Sequence, residues 1–166
     1  MASFALVSLG CPKNQVDSEW LVEVLKEAGL RFAVSSLEAD LVIINTCAFI
    51  NSAREEAIDT IWSYIGLKNE RAEVKLAVAG CLVQGFGNEA KDGFPEVDYW
   101  LLGPDDEEGL QKLIKDFGGR RSALLNHSCR PILLGEPGSA YLKVAEGCNN
   151  RCSYCSIPLI KGPLAS

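Results

Sequence analysis

Apolar residues in this chain gather in short uninterrupted runs, and between the runs they recur every three or four positions. Runs at residues 4–9, 41–44, 76–79 and 99–102 have the length and composition of strands covered on both faces. A further short strand is expected within residues 30–34. After the first run, Leu21, Val24, Leu25 and Ala28 fall at helical spacing and Gly29 supplies a stop. Between the second and third, Ser52 and Glu55 have capping-box spacing, and Ala57, Ile58, Ile61, Trp62 and Ile65 follow on one helical face. A last helix is expected from near Asp105, turning Leu110, Leu113, Ile114 and Phe117 inward and ending at Gly118 and Gly119.

Strand-helix alternation of this kind predicts an α/β fold: an open parallel sheet with helices on both faces, joined by right-handed crossovers. The pattern changes after residue 118. Pro131, Gly135, Pro137 and Gly138 mark a linker over residues 119–138. Residues 139–145 then read as the first strand of a second domain, delivering Glu146, Gly147 and Cys148 into a loop. The expected division is therefore a first domain over 1–118, a linker over 119–138 and the start of another domain over 139–166.

Parallel strands place their carboxyl ends along one edge of the sheet, and this gives three cysteines a shared address. Cys11 follows the first run, Cys47 the second and Cys81 the third; 36 residues separate the first pair and 34 the next, about one strand-helix unit each. A lone cysteine of this kind is most simply a small buried apolar residue. Three at equivalent positions point to a metal cluster at the edge where open α/β folds bind ligands. Gly10 and Gly80 precede two of them, and the absence of a Cβ lets backbone approach a bulky inorganic core. Helix starts after these loops would favour thiolates.

Cys148, Cys152 and Cys155 form a second trio with C-x3-C-x2-C spacing. Three thiolates can hold an iron-sulfur cluster while leaving one iron without a protein ligand. Zinc usually takes paired C-x2-C ligands, which the three-residue gap breaks, although His127 and Cys129 would complete a tetrahedral site. Seven cysteines, an odd number, argue against a disulfide framework.

Composition narrows the remaining classes. With 166 residues, 48% hydrophobic and 23% charged, the chain is an ordinary globular protein, not a disordered one. No stretch approaches the roughly 20 apolar residues that span a bilayer, so no membrane partner is expected. The N-terminal run lacks a basic region before it and reads as a buried strand, which makes a reducing, cytoplasmic location the expectation. The net charge of −6, with scattered Lys and Arg, makes direct nucleic-acid binding by this segment unexpected; a basic protein partner suits it better.

The segments around Cys11 (Ser8 to Glu19), Cys47 (Asn45 to Ile50), Cys81 (Ala79 to Gln84) and the second trio (Glu146 to Pro158) together closely resemble the radical S-adenosylmethionine (SAM) methylthiotransferases. Pro12 and Lys13 after Cys11 are similar to the RimO branch, which modifies an aspartate of the twelfth small-subunit ribosomal protein. The tRNA-modifying MiaB branch usually has Gln-Met there and is the alternative; a noncatalytic iron-sulfur or zinc scaffold is another. The resemblance implies a methylthiotransferase N-terminal domain followed by the truncated start of a radical SAM barrel. It also implies two 4Fe-4S clusters, one on Cys148, Cys152 and Cys155 that cleaves SAM, the other on Cys11, Cys47 and Cys81 and involved in sulfur delivery. Tyr154 is expected near the SAM adenine, the ribosome or its protein is the implied partner, and an external donor supplies electrons. The family reaction places a methylthio group on the aspartate β-carbon, and this segment alone is expected to bind iron and sulfur without turnover. Residues 161–166 depart from the family, which usually carries Arg-Gly and a later Ser-Arg pair there.

Overall fold

The computed structural model describes residues 1–120 and 138–166. Five strands form one sheet: β1 (Ser3–Ser8), β2 (Arg31–Phe32), β3 (Leu41–Thr46), β4 (Lys75–Gly80) and β5 (Tyr99–Leu101), in the order β2-β1-β3-β4-β5. Every pairing is parallel, as the alternation predicts. The central β3 is buried along its whole length, which is why Leu41, Val42, Ile43 and Ile44 form an unbroken apolar run instead of alternating. The edges are only two and three residues long, leaving little unpaired backbone.

Helices α1 (Pro12–Glu27), α2 (Asn51–Glu70), α3 (Cys81–Gly93) and α4 (Glu107–Asp116) cover both faces. Leu21 and Leu25 of α1 and Leu110, Leu113 and Ile114 of α4 pack on the side to which Leu41 and Ile43 point. Ile61 and Ile65 of α2, with Leu82, Val83 and Ala90 of α3, pack on the side of Val42 and Ile44. The alternation of β3 thus divides one strand between two cores. Asp106 caps α4, accepting from the Gly109 N–H at 2.9 Å, and Gly118 closes it in a left-handed conformation at φ +71°.

Four expectations are corrected. Ser52 and Glu55 form no capping box: α2 begins at Asn51, and Ile50 enters it from extended backbone without a side-chain cap. Trp62 is 51% exposed, because its ring meets only the rim of the core, against Phe94 at 5.3 Å between centroids. Residues 139–145 form no strand, since no neighbour among the described residues ladders with them; a single antiparallel bridge joins Glu146 to Ala165. The helix α3, absent from the expectations, starts at Cys81 itself and is broken at Gly87, where φ is 12° and ψ −92°. The site residues His127 and Cys129, and most of the expected linker, lie outside the described residues.

Candidate metal centre

Strand register brings the first trio to one edge of the sheet. Ser8 of β1 lies opposite Asn45 of β3, and Thr46 opposite Gly80 of β4, so the three strands end level. Cys11 is the N-cap of α1, Cys47 opens the loop from β3 to α2, and Cys81 is the first residue of α3. Chain order doubles back between β1 and β3, so Cys11 and Cys47 flank the switch point where open parallel sheets leave a crevice.

A buried polar network holds these ends. Asn14 donates from Nδ2 to the carbonyls of Leu9 at 3.0 Å and Thr46 at 2.7 Å, and its Oδ1 lies 3.7 Å from Cys81 Sγ. Asn45 donates to the Asn14 carbonyl and to Ser18 Oγ, both at 2.9 Å. Thr46 Oγ1 donates to the Ala79 carbonyl at 2.6 Å and accepts from Leu82 N–H at 3.3 Å. Together these bonds tie the end of β3 to β4 and to the first turns of α1 and α3, so strand ends that would otherwise fray are locked in place. Gly10 sits at φ +89°, and a Cβ there would lie 2.3 Å from Cys47 Cβ and 3.0 Å from its Sγ. Only glycine permits this approach.

The thiols differ in environment. Cys47 and Cys81 are buried and Cys11 is exposed. The neighbouring Cys81 thiol, with help from the backbone N–H groups of Phe49 and Ala48, holds the Cys47 thiol below its ordinary pKa against the effect of burial. The same neighbour relation, with burial, raises Cys81. All three border a cavity of about 670 Å³, walled by Phe49 and Ile50 on one side and by Ile157 and Ile160 of α5 (Ile157–Ile160) on the other. Among the described residues, no three His, Cys, Asp or Glu side chains are gathered to hold a single metal ion. Thiols spread around one cavity suit a multi-iron cluster, which offers a different iron to each. The all-sulfur donor set and the close-approach glycine fit the same group.

The second trio lies in a tight loop closed by its own return. The Cys148 N–H donates to the Gly162 carbonyl at 3.1 Å, and Glu146 and Ala165 exchange backbone bonds of 2.8 Å each way. A Cβ on Gly147 would fall 2.1 Å from the Pro163 carbonyl oxygen, so the return path requires glycine. Within the loop, the Asn150 N–H points to Cys148 Sγ at 3.4 Å and the Cys155 N–H to the Cys152 carbonyl at 3.2 Å. Cys148 and Cys155 are half-buried; Cys152 and Tyr154 are exposed, Tyr154 to 90%. Ile157, two residues after Cys155, walls the cavity of the first trio.

Sequence reasoning did not assign roles to Asn14, Asn45 or Thr46. For Asn45 and Thr46 the signal was polar side chains at the end of a run otherwise buried on both faces, where a polar group must find a partner; Asn14, in the first turn of α1, carried no such signal.

The model of the uncharacterized protein family UPF0004 matches residues 3–102. The chain is 42% identical over 166 residues to the ribosomal protein uS12 methylthiotransferase RimO of Protochlamydia amoebophila, a match that covers 96% of this chain and 34% of that protein. It is 43% identical over 176 residues to the same-named protein of Caldicellulosiruptor saccharolyticus, covering 100% of this chain and 40% of that one. With the protein of that name from Thermodesulfovibrio yellowstonii it shares 39% over 166 residues, covering 100% and 38%. The chain thus spans well under half the length of the curated relatives it matches, and corresponds to their N-terminal part. No helix among the described residues is long and apolar enough to cross a membrane.

Proposed function

The chain belongs to the uncharacterized protein family UPF0004, and from that premise we propose that it is the N-terminal part of a RimO-type methylthiotransferase. The reaction is addition of a methylthio group to the β-carbon of an aspartate in ribosomal protein uS12, in the cytoplasm. One observation carries this reading: three cysteines from three separate strand ends border a single cavity, and the segment that follows the C-x3-C-x2-C loop closes it.

In this assignment Cys11, Cys47 and Cys81 hold one 4Fe-4S cluster, and Cys148, Cys152 and Cys155 hold the other. When bound, these groups supply one-electron cleavage of SAM and a site for sulfur, the chemistry that an unactivated C–H bond requires of a cofactor. The polypeptide's own part is placement and shielding. Asn14, Asn45 and Thr46 fix the strand ends that carry the first trio. Phe49, Ile50, Ile157 and Ile160 give the cavity apolar walls. Tyr154, exposed beside Cys155, is assigned the contact with the adenine of SAM. The sheet domain extends over 1–118, and residues 139–166 begin the SAM-binding domain.

Anaerobic reconstitution of the full-length protein tests the reading. Wild type should hold about eight irons, and each triple alanine variant, at Cys11, Cys47 and Cys81 or at Cys148, Cys152 and Cys155, about four. Mass spectrometry of uS12 from ribosomes incubated with enzyme, SAM and reductant should show the methylthio group. Zinc in place of iron, or modification of tRNA instead of uS12, refutes it.

A further inference from the structure

Four charged side chains meet between α1 and the C-terminal segment. Asp17 of α1 is buried. Lys143 Nζ lies 2.6 Å from Asp17 Oδ1 and 2.7 Å from Glu146 Oε2. Lys161 Nζ lies 3.0 Å from Glu146 Oε1 and 3.8 Å from Asp17 Oδ2. The two cations and two anions balance. Lys143 and Glu146 precede the 148–155 loop and Lys161 follows it, so both ends of the loop are tied to one carboxylate, and of the four only Asp17 belongs to the sheet domain.

Other contacts follow the same seam. Lys13 Nζ donates to the Ala145 carbonyl at 2.9 Å, and Ser156 Oγ to the Phe49 carbonyl at 3.4 Å. A Cβ on Gly85 of α3 would lie 3.2 Å from Ile160 Cγ1, so α5 rests where α3 has no side chain. Burial pushes the Asp17 carboxyl up, and the hydrogen bond and charge of Lys143 oppose it, with Lys161 adding to the opposition. A buried pair of this kind adds little net stability, but removing one partner strands the other charge. Such a group selects one arrangement over its alternatives.

We propose that Asp17 is a positioning residue, the anchor that clamps both ends of the 148–155 loop to the sheet's carboxyl edge and so holds Ile157 and Ile160 over Cys47 and Cys81. The clamp belongs to the polypeptide and does not depend on bound iron. It sets the placement of one cysteine trio against the other.

The test is site-resolved alkylation of the metal-free full chain by iodoacetamide, read by mass spectrometry. Asp17→Asn should raise the rates at Cys47 and Cys81 about tenfold by freeing the segment that covers them, while the exposed Cys152 reacts as before and the circular dichroism melt of the sheet is unmoved. Lys143→Met removes the same contact from the C-terminal side and should give the same selective rise, with the sheet's dichroism melt as the control for the Asp17 charge it leaves unpaired. Unchanged protection of Cys47 and Cys81 in Lys143→Met, or a rise that comes only with loss of the sheet's dichroism, overturns the proposal. Because iron is not measured, failure here leaves the cluster assignment standing, and failure of that assignment leaves the clamp standing.

Discussion

Replacing Gly10 with alanine probes the claim that Cys47 is held by backbone approach. Two costs arise at this position. The backbone sits at φ +89°, a region that penalises a residue with a Cβ by roughly 1–2 kcal/mol. The new methyl would also sit 2.3 Å from Cys47 Cβ, and relieving an overlap in a packed site costs typically about 1–3 kcal/mol. Gly29 separates the two: it has φ +93° with nothing within 4 Å of its Cβ position, so Gly29→Ala carries the first cost alone. At about 2–8 °C per kcal/mol, depending on domain size, Gly29→Ala should lower the melting temperature by roughly 5 °C and Gly10→Ala by about 10 °C or more. Thermal melts of the metal-free chain under reductant, followed by circular dichroism, measure both. Anaerobic iron loading adds a second readout, in which Gly10→Ala should retain about four irons of about eight while Gly29→Ala retains all. Equal melts for the two variants would refute the close approach, because the collision at Cys47 is the whole difference between them.

Two further outcomes follow from the strand ends and the far edge of the sheet. Asn14→Ala removes the donor to two carbonyls, at Leu9 and Thr46, and should destabilise the chain by about 2–4 kcal/mol in urea denaturation. Burial pushes the Asp98 carboxyl up, but Lys68 at 2.5 Å, the Leu76 N–H at 2.9 Å and Lys75 at 2.9 Å outweigh it and hold the pKa below its ordinary value. Its stabilisation is therefore fully present above the unfolded pKa of about 3.9 and is lost as pH falls through the lower folded value, so Asp98→Asn should flatten the stability profile in that acid window.

Which parts of this structure were legible beforehand depends on how local their causes are. The strands were legible because burial on both faces demands an unbroken apolar run, as at Leu41 to Ile44, and the shared edge of the cysteine trio because each thiol follows such a run within three residues. Helix α3 was not, because Gly85, Gly87 and Gly93 lower its helix propensity and Gly87 breaks its geometry. Trp62 has the right spacing and the wrong position, since helical phase says nothing about how far along the sheet a residue lies. The network of Asn14, Asn45 and Thr46 required the strand order, which places β3 between β1 and β4, and no local pattern contains that order. The clamp on Asp17 joins residues 126 positions apart, and charges at such separation pair only once the fold is known. The two kinds of information also divide the labour at the site. The cysteines stand in short motifs, while the groups that fix their relative placement are ordinary Asn, Thr, Asp and Lys. Under the proposed assignment, substituting a cysteine should therefore abolish a site, whereas substituting Asn14 or Asp17 should leave every proposed ligand present and alter the geometry in which they meet.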